Sequence, residues 1–444
     1  MTATIKCICS KHRVLCTILF YFILTVILTV TFCGSLLVTG YNNEQIQSVL
    51  RRNLKTSVNQ FMLEGEYPFI LNRGDQSYRL DNYTDTIILQ QAYLMDTIKD
   101  PTVIFSNPYV SKSYNDPEVP DRILALEEAR KNQVGTSHYT YYWIGIRALI
   151  RPLLYLFSYQ NIRGILSIIF IMLWFAASAS VYRSTGKPTG IAFFLSVICM
   201  NIPVVASEIQ FVPCFYIMFI AVILITRNRS KLHRAPAILF ITGAVTQFLD
   251  FYTYPIITLC FPLIVLVVLF RQQPTTKPVM TLLKCIFTWF FAYAGFWLIR
   301  LLLVEAFTEF DSTISNAFQR FSHWTSAPAE TQPSKYTAQY TFDLLWGTLM
   351  NPHNVLLLIA VSVYELALLI KCVIIKQCNR PTIFPLLIST FPLIWVLLSL
   401  KAAGQHYWFQ YRIMSIPIFG VFTFIGSMMS GSVSTAPSTI ADLQ

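Results

Sequence analysis

Long apolar runs separated by short polar turns dominate this chain. Runs of this length and hydrophobicity predict membrane-spanning helices, here ten, at approximately 16–38, 161–181, 189–206, 211–226, 235–250, 252–270, 283–304, 353–371, 382–400 and 411–430. Two long polar segments, 40–145 and 305–352, interrupt the pattern. In the first, Ile46, Val49, Leu50, Leu54, Val58, Phe61 and Met62 recur at helical spacing. They predict an amphipathic helix lying on the bilayer and ending near Gly65. A second helix is expected from Thr84 or Asp85 through Met95, and a solvated third from Pro120 to Lys131. Tyr139, Tyr141, Tyr142 and Trp143 mark a return to the interface, followed by a short surface helix around Arg147–Pro152. In the second segment, Phe307, Phe310, Ile314, Phe318 and Phe321 predict an interfacial helix, and Pro328, Pro333 and Ser334 irregular chain. No internal repeat of the transporter kind is present.

Composition supports this class. The 444 residues are 55% hydrophobic and only 12% charged, against about 25% charged in soluble domains. The fold class expected is an all-α integral membrane protein. A polytopic domain spans 1–430, a large first extracytoplasmic loop carries amphipathic helices, and a disordered cytoplasmic tail covers 431–444. The run after Lys6, Lys11 and Arg13 is longer than a signal-peptide core and lacks a small-residue cleavage site, so it is expected to remain as the first span.

The net charge of +11 does not imply nucleic acid as a partner, because Lys and Arg collect in cytoplasmic loops. With the N-terminus inside, the short inner segments and the N-terminus hold 15 Lys and Arg against Lys401 and Arg412 in the short outer ones. Both long loops then lie outside the cytoplasm, and the expected location is the plasma membrane. None of the ten cysteines lies in either long loop, so no internal disulfide can staple them. No nucleotide-binding glycine loop, GxSxG or HExxH occurs, which leaves ATP-driven and zinc-hydrolase chemistry without support.

Candidate chemistry centres on Asp81-Asn82-Tyr83-Thr84-Asp85. A desolvated, oriented carboxylate serves as a general base toward a hydroxyl, and two close carboxylates could hold a divalent cation through oxygen ligands. Asp and Thr are also preferred helix N-caps, and a helix is expected to begin here. Asn82-Tyr83-Thr84 is a glycosylation sequon, meaningful only in a secretory pathway. Glu208 and Asp250 fall in outer turns on the same side; ionisable groups at that depth usually have partners. Arg147, Arg151, Lys401, His406 and Arg412 stand outside, against the charge trend, and such groups bind phosphate oxygens or snorkel to headgroups.

One span, a large exported acidic loop and then many spans resembles the GT-C superfamily, membrane glycosyltransferases that use polyprenyl-phosphate-linked sugars. The likeness is architectural over about 1–430. Locally, Asp81–Asp85, Trp143–Pro152, Gly243–Pro262 and His406–Arg412 resemble a group of uncharacterised bacterial multi-pass proteins; these often carry His in the Tyr-Trp motif where Ile144 stands here. The resemblance implies that Asp81 or Asp85 takes a proton from an acceptor hydroxyl of a cell-envelope glycan or lipid. The lipid phosphate leaves, held by external Arg, Lys or His. In the family the acidic pair lies closer to the first span and is often adjacent, whereas here the two are four apart. A transporter or flippase of lipid-linked saccharides, which would favour mid-span charges where the few candidates, Arg300 and Glu365, lie near helix ends, and a non-catalytic envelope-assembly subunit are the competing classes.

Overall fold

The computed structural model describes residues 13–72, 74–110, 126–127, 136–272, 278–310, 313–325, 337–374 and 382–429. It is a helical assembly, with one short antiparallel hairpin (Pro108–Val110 with Thr136–His138) that the apolar pattern did not predict. The helix expected at Pro120–Lys131 and the tail 431–444 lie outside the described residues, apart from helical Leu126 and Glu127.

Each predicted span coincides with apolar helix, but the lengths differ. Among the described residues, four helices are long and apolar enough to cross a membrane: Val14–Thr39, Tyr159–Thr185, Pro278–Phe307 and Tyr407–Met428. A fifth crossing results if Ala338–Leu349 and Pro352–Ala367, bent by 79°, are taken together. Lys187–Ile198, with 12 residues, covers only about 18 Å at 1.5 Å per residue. The short helices have identifiable causes. The expected span 189–206 breaks at Asn201, whose φ of 58° is left-handed and whose Nδ2 donates to the Ser77 carbonyl at 2.9 Å. The span expected at 382–400 divides into Phe384–Ser389 and Phe391–Leu398, each with proline in its first turn.

The first helix exposes most of its apolar surface, as a lipid-facing span does. It docks through Phe32 and Leu36 onto Trp143, Phe248 and Phe296. The densest helix pair is Ala235–Leu249 against Pro278–Phe307. Gly243 permits it: a Cβ there would collide with the Trp289 carbonyl oxygen, the close approach that small residues allow between membrane helices. Gly243→Ala is expected to cost about 1–3 kcal/mol, read as a lower unfolding midpoint of the purified protein; an unchanged midpoint would mean the helices part without strain.

The segment after the first span folds as a cap on the bundle. Glu44–Glu64 is the expected amphipathic helix, but its apolar stripe (Leu50, Leu54, Val58, Phe61) faces protein, packing on Arg147–Leu156 and Tyr159–Thr185. The predicted 307–321 helix divides: Phe307 ends Pro278–Phe307, and a separate helix covers Thr313–Thr325.

Candidate functional site

The helix that carries the acidic motif runs from Asn82 to Leu94, buried on nearly every side. Asp81 is its N-cap, accepting hydrogen bonds from the Thr84 backbone N at 3.1 Å and Thr84 Oγ1 at 3.0 Å. At its other end Arg151 Nη1 donates to the Ala92 and Tyr93 carbonyls at 2.5 and 3.2 Å, where a cation complements the dipole. Asn82 Nδ2 donates to Glu64 Oε2 at 3.1 Å and to the Gly65 carbonyl at 2.8 Å. The sequon asparagine is therefore wholly buried and closed to glycosylation in the folded chain.

One turn further in, Asp85 joins a buried network. Its carboxylate accepts from the Tyr159 hydroxyl and from the backbone N of Ile209 and Gln210, both at 3.1 Å. Arg163 is the hub. It donates to Glu64 Oε2 at 2.9 Å, Asn82 Oδ1 at 2.5 Å and Glu208 Oε1 at 3.0 Å, with its guanidinium 4.5 Å from the Tyr159 ring centre. Burial raises both the Asp85 and the Glu208 carboxyls; Arg163 opposes this at each, and the neighbouring Asp85 pushes Glu208 up further. Among the described residues no three His, Cys, Asp or Glu side chains gather to hold a metal ion. In this network Arg163 stands where a cation would.

Towards the rim lies a second cluster. The Arg79 guanidinium is sandwiched between Tyr67 and Trp408, 4.2 and 4.3 Å from their ring centres. Tyr83 stacks on Tyr67 at 6.1 Å. The His406 ring rests on Trp408 and Phe409 at 5.3 and 5.2 Å. Burial, and then the Arg79 charge, push His406 down to about 4, so it is neutral near pH 7. Burial pushes the Asp81 carboxyl up to about 7 against its two bonds from Thr84, and Arg79 supplies the nearby positive charge. Arg79 Nε and Trp408 Nε1 are buried donors without a hydrogen-bond partner.

The sequence-predicted residues therefore separate. Asp81 and His406 each lie within the field of Arg79; Asp85 and Glu208 meet in the network. Asp85, expected as a base, is held by three hydrogen bonds, from Tyr159 and from the backbone of Ile209 and Gln210. Asp250 stands apart, accepting from the Thr253 backbone N at 3.2 Å and from Thr253 Oγ1 at 2.5 Å. Arg151 and Arg412, expected to bind phosphate, donate to backbone carbonyls left open where helices break, and Arg412 Nη1 is a buried donor without a partner. Arg412 Nε donates to Met200 O at 2.9 Å and its Nη2 to Ser77 O at 3.4 Å, which fastens the turn that leads to Arg79. Arg147 holds the Ile104 carbonyl at 2.6 Å. Lys401 is half-buried near the start of a short helix. Sequence reading missed Tyr67, Arg79, Tyr159 and Arg163. Arg163 offered a signal, an ionisable group at the start of an apolar run.

The raised Asp81 carboxyl gives stability an unusual pH dependence. Asp81 moves to about 7 by burial, whereas the unfolded chain releases this proton near pH 4. The folded state binds the proton more tightly, so this contribution is fully present below about pH 4 and is lost as pH rises through about 7. For Glu64, burial pushes up, but Arg163, Gln60 and Asn82 outweigh it and hold the carboxyl below its ordinary value. Its contribution is present at neutral pH and lost on acidification below about pH 4. The unfolding midpoint in detergent is expected to fall between pH 5 and pH 8; a midpoint rising over that window would contradict the assignment.

No family model matches the chain, and no curated protein or solved structure matches it either.

Proposed function

We propose that this chain is a membrane glycosyltransferase that moves a sugar from a polyprenyl-phosphate donor to an extracytoplasmic acceptor, a cell-envelope glycan or lipid. The observation that carries this reading is the rim cluster, in which Asp81, ionising near neutral pH, lies beside Arg79 held between two aromatic rings. Asp81 takes the proton of the acceptor hydroxyl, whose oxygen attacks the anomeric carbon. The bond from that carbon to the phosphate oxygen breaks, and the lipid phosphate leaves with the electron pair, stabilised by Arg79. Tyr67 and Trp408 offer faces for the sugar. Asp81 is buried beneath this cover, so the donor enters by displacing the Tyr67–Arg79 contact. The chain crosses the plasma membrane ten times, through short and broken helices as well as long ones, with its N-terminus in the cytoplasm and the cap outside.

Purified protein in liposomes, given a polyprenyl-phosphate hexose labelled in the sugar together with envelope extract, is expected to release free polyprenyl phosphate and to label an acceptor. One observation favours the transporter reading. Glu365 lies within Pro352–Ile374, buried, with neither carboxylate oxygen hydrogen-bonded. Label that crosses the bilayer with its phosphate bond intact, and that depends on Glu365, would replace the transferase reading.

A further inference from the structure

Two arginines lie buried together, away from the rim cluster, with no acid among the described residues to balance them. Arg147, on the short helix after the cap, and Arg300, in the Pro278–Phe307 helix, have no exposed surface. Both donate to one carbonyl, Ile104 O: Arg147 Nη2 at 2.6 Å and Arg300 Nη1 at 3.2 Å. Arg300 Nη2 also donates to Phe105 O. Three further donors, Arg147 Nε, Arg147 Nη1 and Arg300 Nε, have no hydrogen-bond partner. Trp143 and Phe105 flank Arg300 at 5.6 and 5.7 Å. The ionisable groups that act on the pair are each other, Arg151 and the Cys33 thiol of the first span. Among the described residues, then, no carboxylate faces it. Burial, and after it the Arg151 charge, push Arg147 down to about 9, which leaves it charged at neutral pH.

Like charges meeting at one carbonyl repel, and a buried cation without a counter-ion is strongly disfavoured. Backbone carbonyls supply partial negative charge at one side of each guanidinium only. The unengaged edges present three N–H groups, the donor pattern that phosphate oxygens accept. Arg300 lies about 10 Å from the outer end of its helix, and Phe32 and Leu36 of the first span wall the cluster. We infer that Arg147 and Arg300 bind a phosphate-bearing anion between them, as a site separate from the rim cluster. The phosphate is either inorganic or the headgroup of a phospholipid whose chains lie along the first span.

Delipidated full-length protein is titrated with inorganic phosphate, with dihexanoyl phosphatidylglycerol and, at equal ionic strength, with chloride. The unfolding midpoint is expected to rise by roughly 5 °C with saturating ligand. A rise with phosphate identifies the free ion; a rise with the lipid alone identifies the headgroup. Arg147→Gln and Arg300→Gln are each expected to abolish the rise. No rise with either phosphate ligand, an equal rise with chloride, or a full rise retained in both variants would overturn the site. Native mass spectrometry of wild-type protein, taken before delipidation, does not depend on the variants folding. A retained phosphate-bearing mass supports the site, and its absence counts against it.

Discussion

Asp81→Asn is expected to lower sugar transfer by about 10²- to 10⁴-fold while the protein stays folded. Two properties of Asp81 separate in this variant. Its capping role needs an oxygen that accepts from Thr84, and the Asn side chain retains one; Asn caps about as well as Asp. Its proposed chemical role needs a group that ionises, and Asn has none. A pure cap therefore predicts full activity, and a general base predicts almost complete loss with an unfolding midpoint near that of wild type. The pH profile gives a second readout. Because burial pushes Asp81 up to about 7, wild-type activity is expected to rise as pH increases through about 7, when the carboxyl loses its proton. Full activity of the variant, or a wild-type profile flat between pH 5 and 8, would remove Asp81 from the chemistry. Asp85→Asn is a different case. It disturbs three hydrogen bonds, so its effect should appear first as lost stability.

Arg163→Met is expected to destabilise the protein by about 3–5 kcal/mol, the cost of removing one partner from a buried ionic network. Three acceptors depend on this side chain: Glu64 Oε2, Asn82 Oδ1 and Glu208 Oε1. They come from the cap helix, the acidic motif and the turn after Ile202–Ser207, so one guanidinium ties the cap to the bundle. Without it, the acids must either take up protons or remain charged and unpaired. The deficit should therefore be smaller at pH 5 than at pH 8, since protonation removes the uncompensated charge. Thermal unfolding of both proteins across that range measures it. A loss below about 1 kcal/mol at both pH values would be that of an exposed ion pair, and would show that Arg163 does not carry the network. The double variant with Glu208→Gln should recover part of the loss, because one buried acid is then neutral.

The sequence by itself determined the class of the molecule and the positions of its helices. Apolar runs a membrane thickness long leave a chain few alternatives, because backbone groups in hydrocarbon must pair within their own segment. The amphipathic helix at Glu44–Glu64 and the capping role of Asp81 were equally legible, since both depend on residues within a few positions of each other. Pairing across the chain was not legible. Asp81 and Asp85 look alike in sequence, yet a single helical turn places one at the aromatic rim and the other within reach of Tyr159 and the 208–210 turn. Arg151 and Arg412 read as phosphate ligands because their charges opposed the topological trend. What they meet, carbonyls left open where helices stop, depends on helix breaks such as the one at Asn201, whose side chain is held by the cap residue Ser77. Local hydrophobicity fixes where helices lie. The partner of a buried charge is decided by which segments, up to hundreds of residues apart, are brought to the same depth, and only the tertiary structure does that.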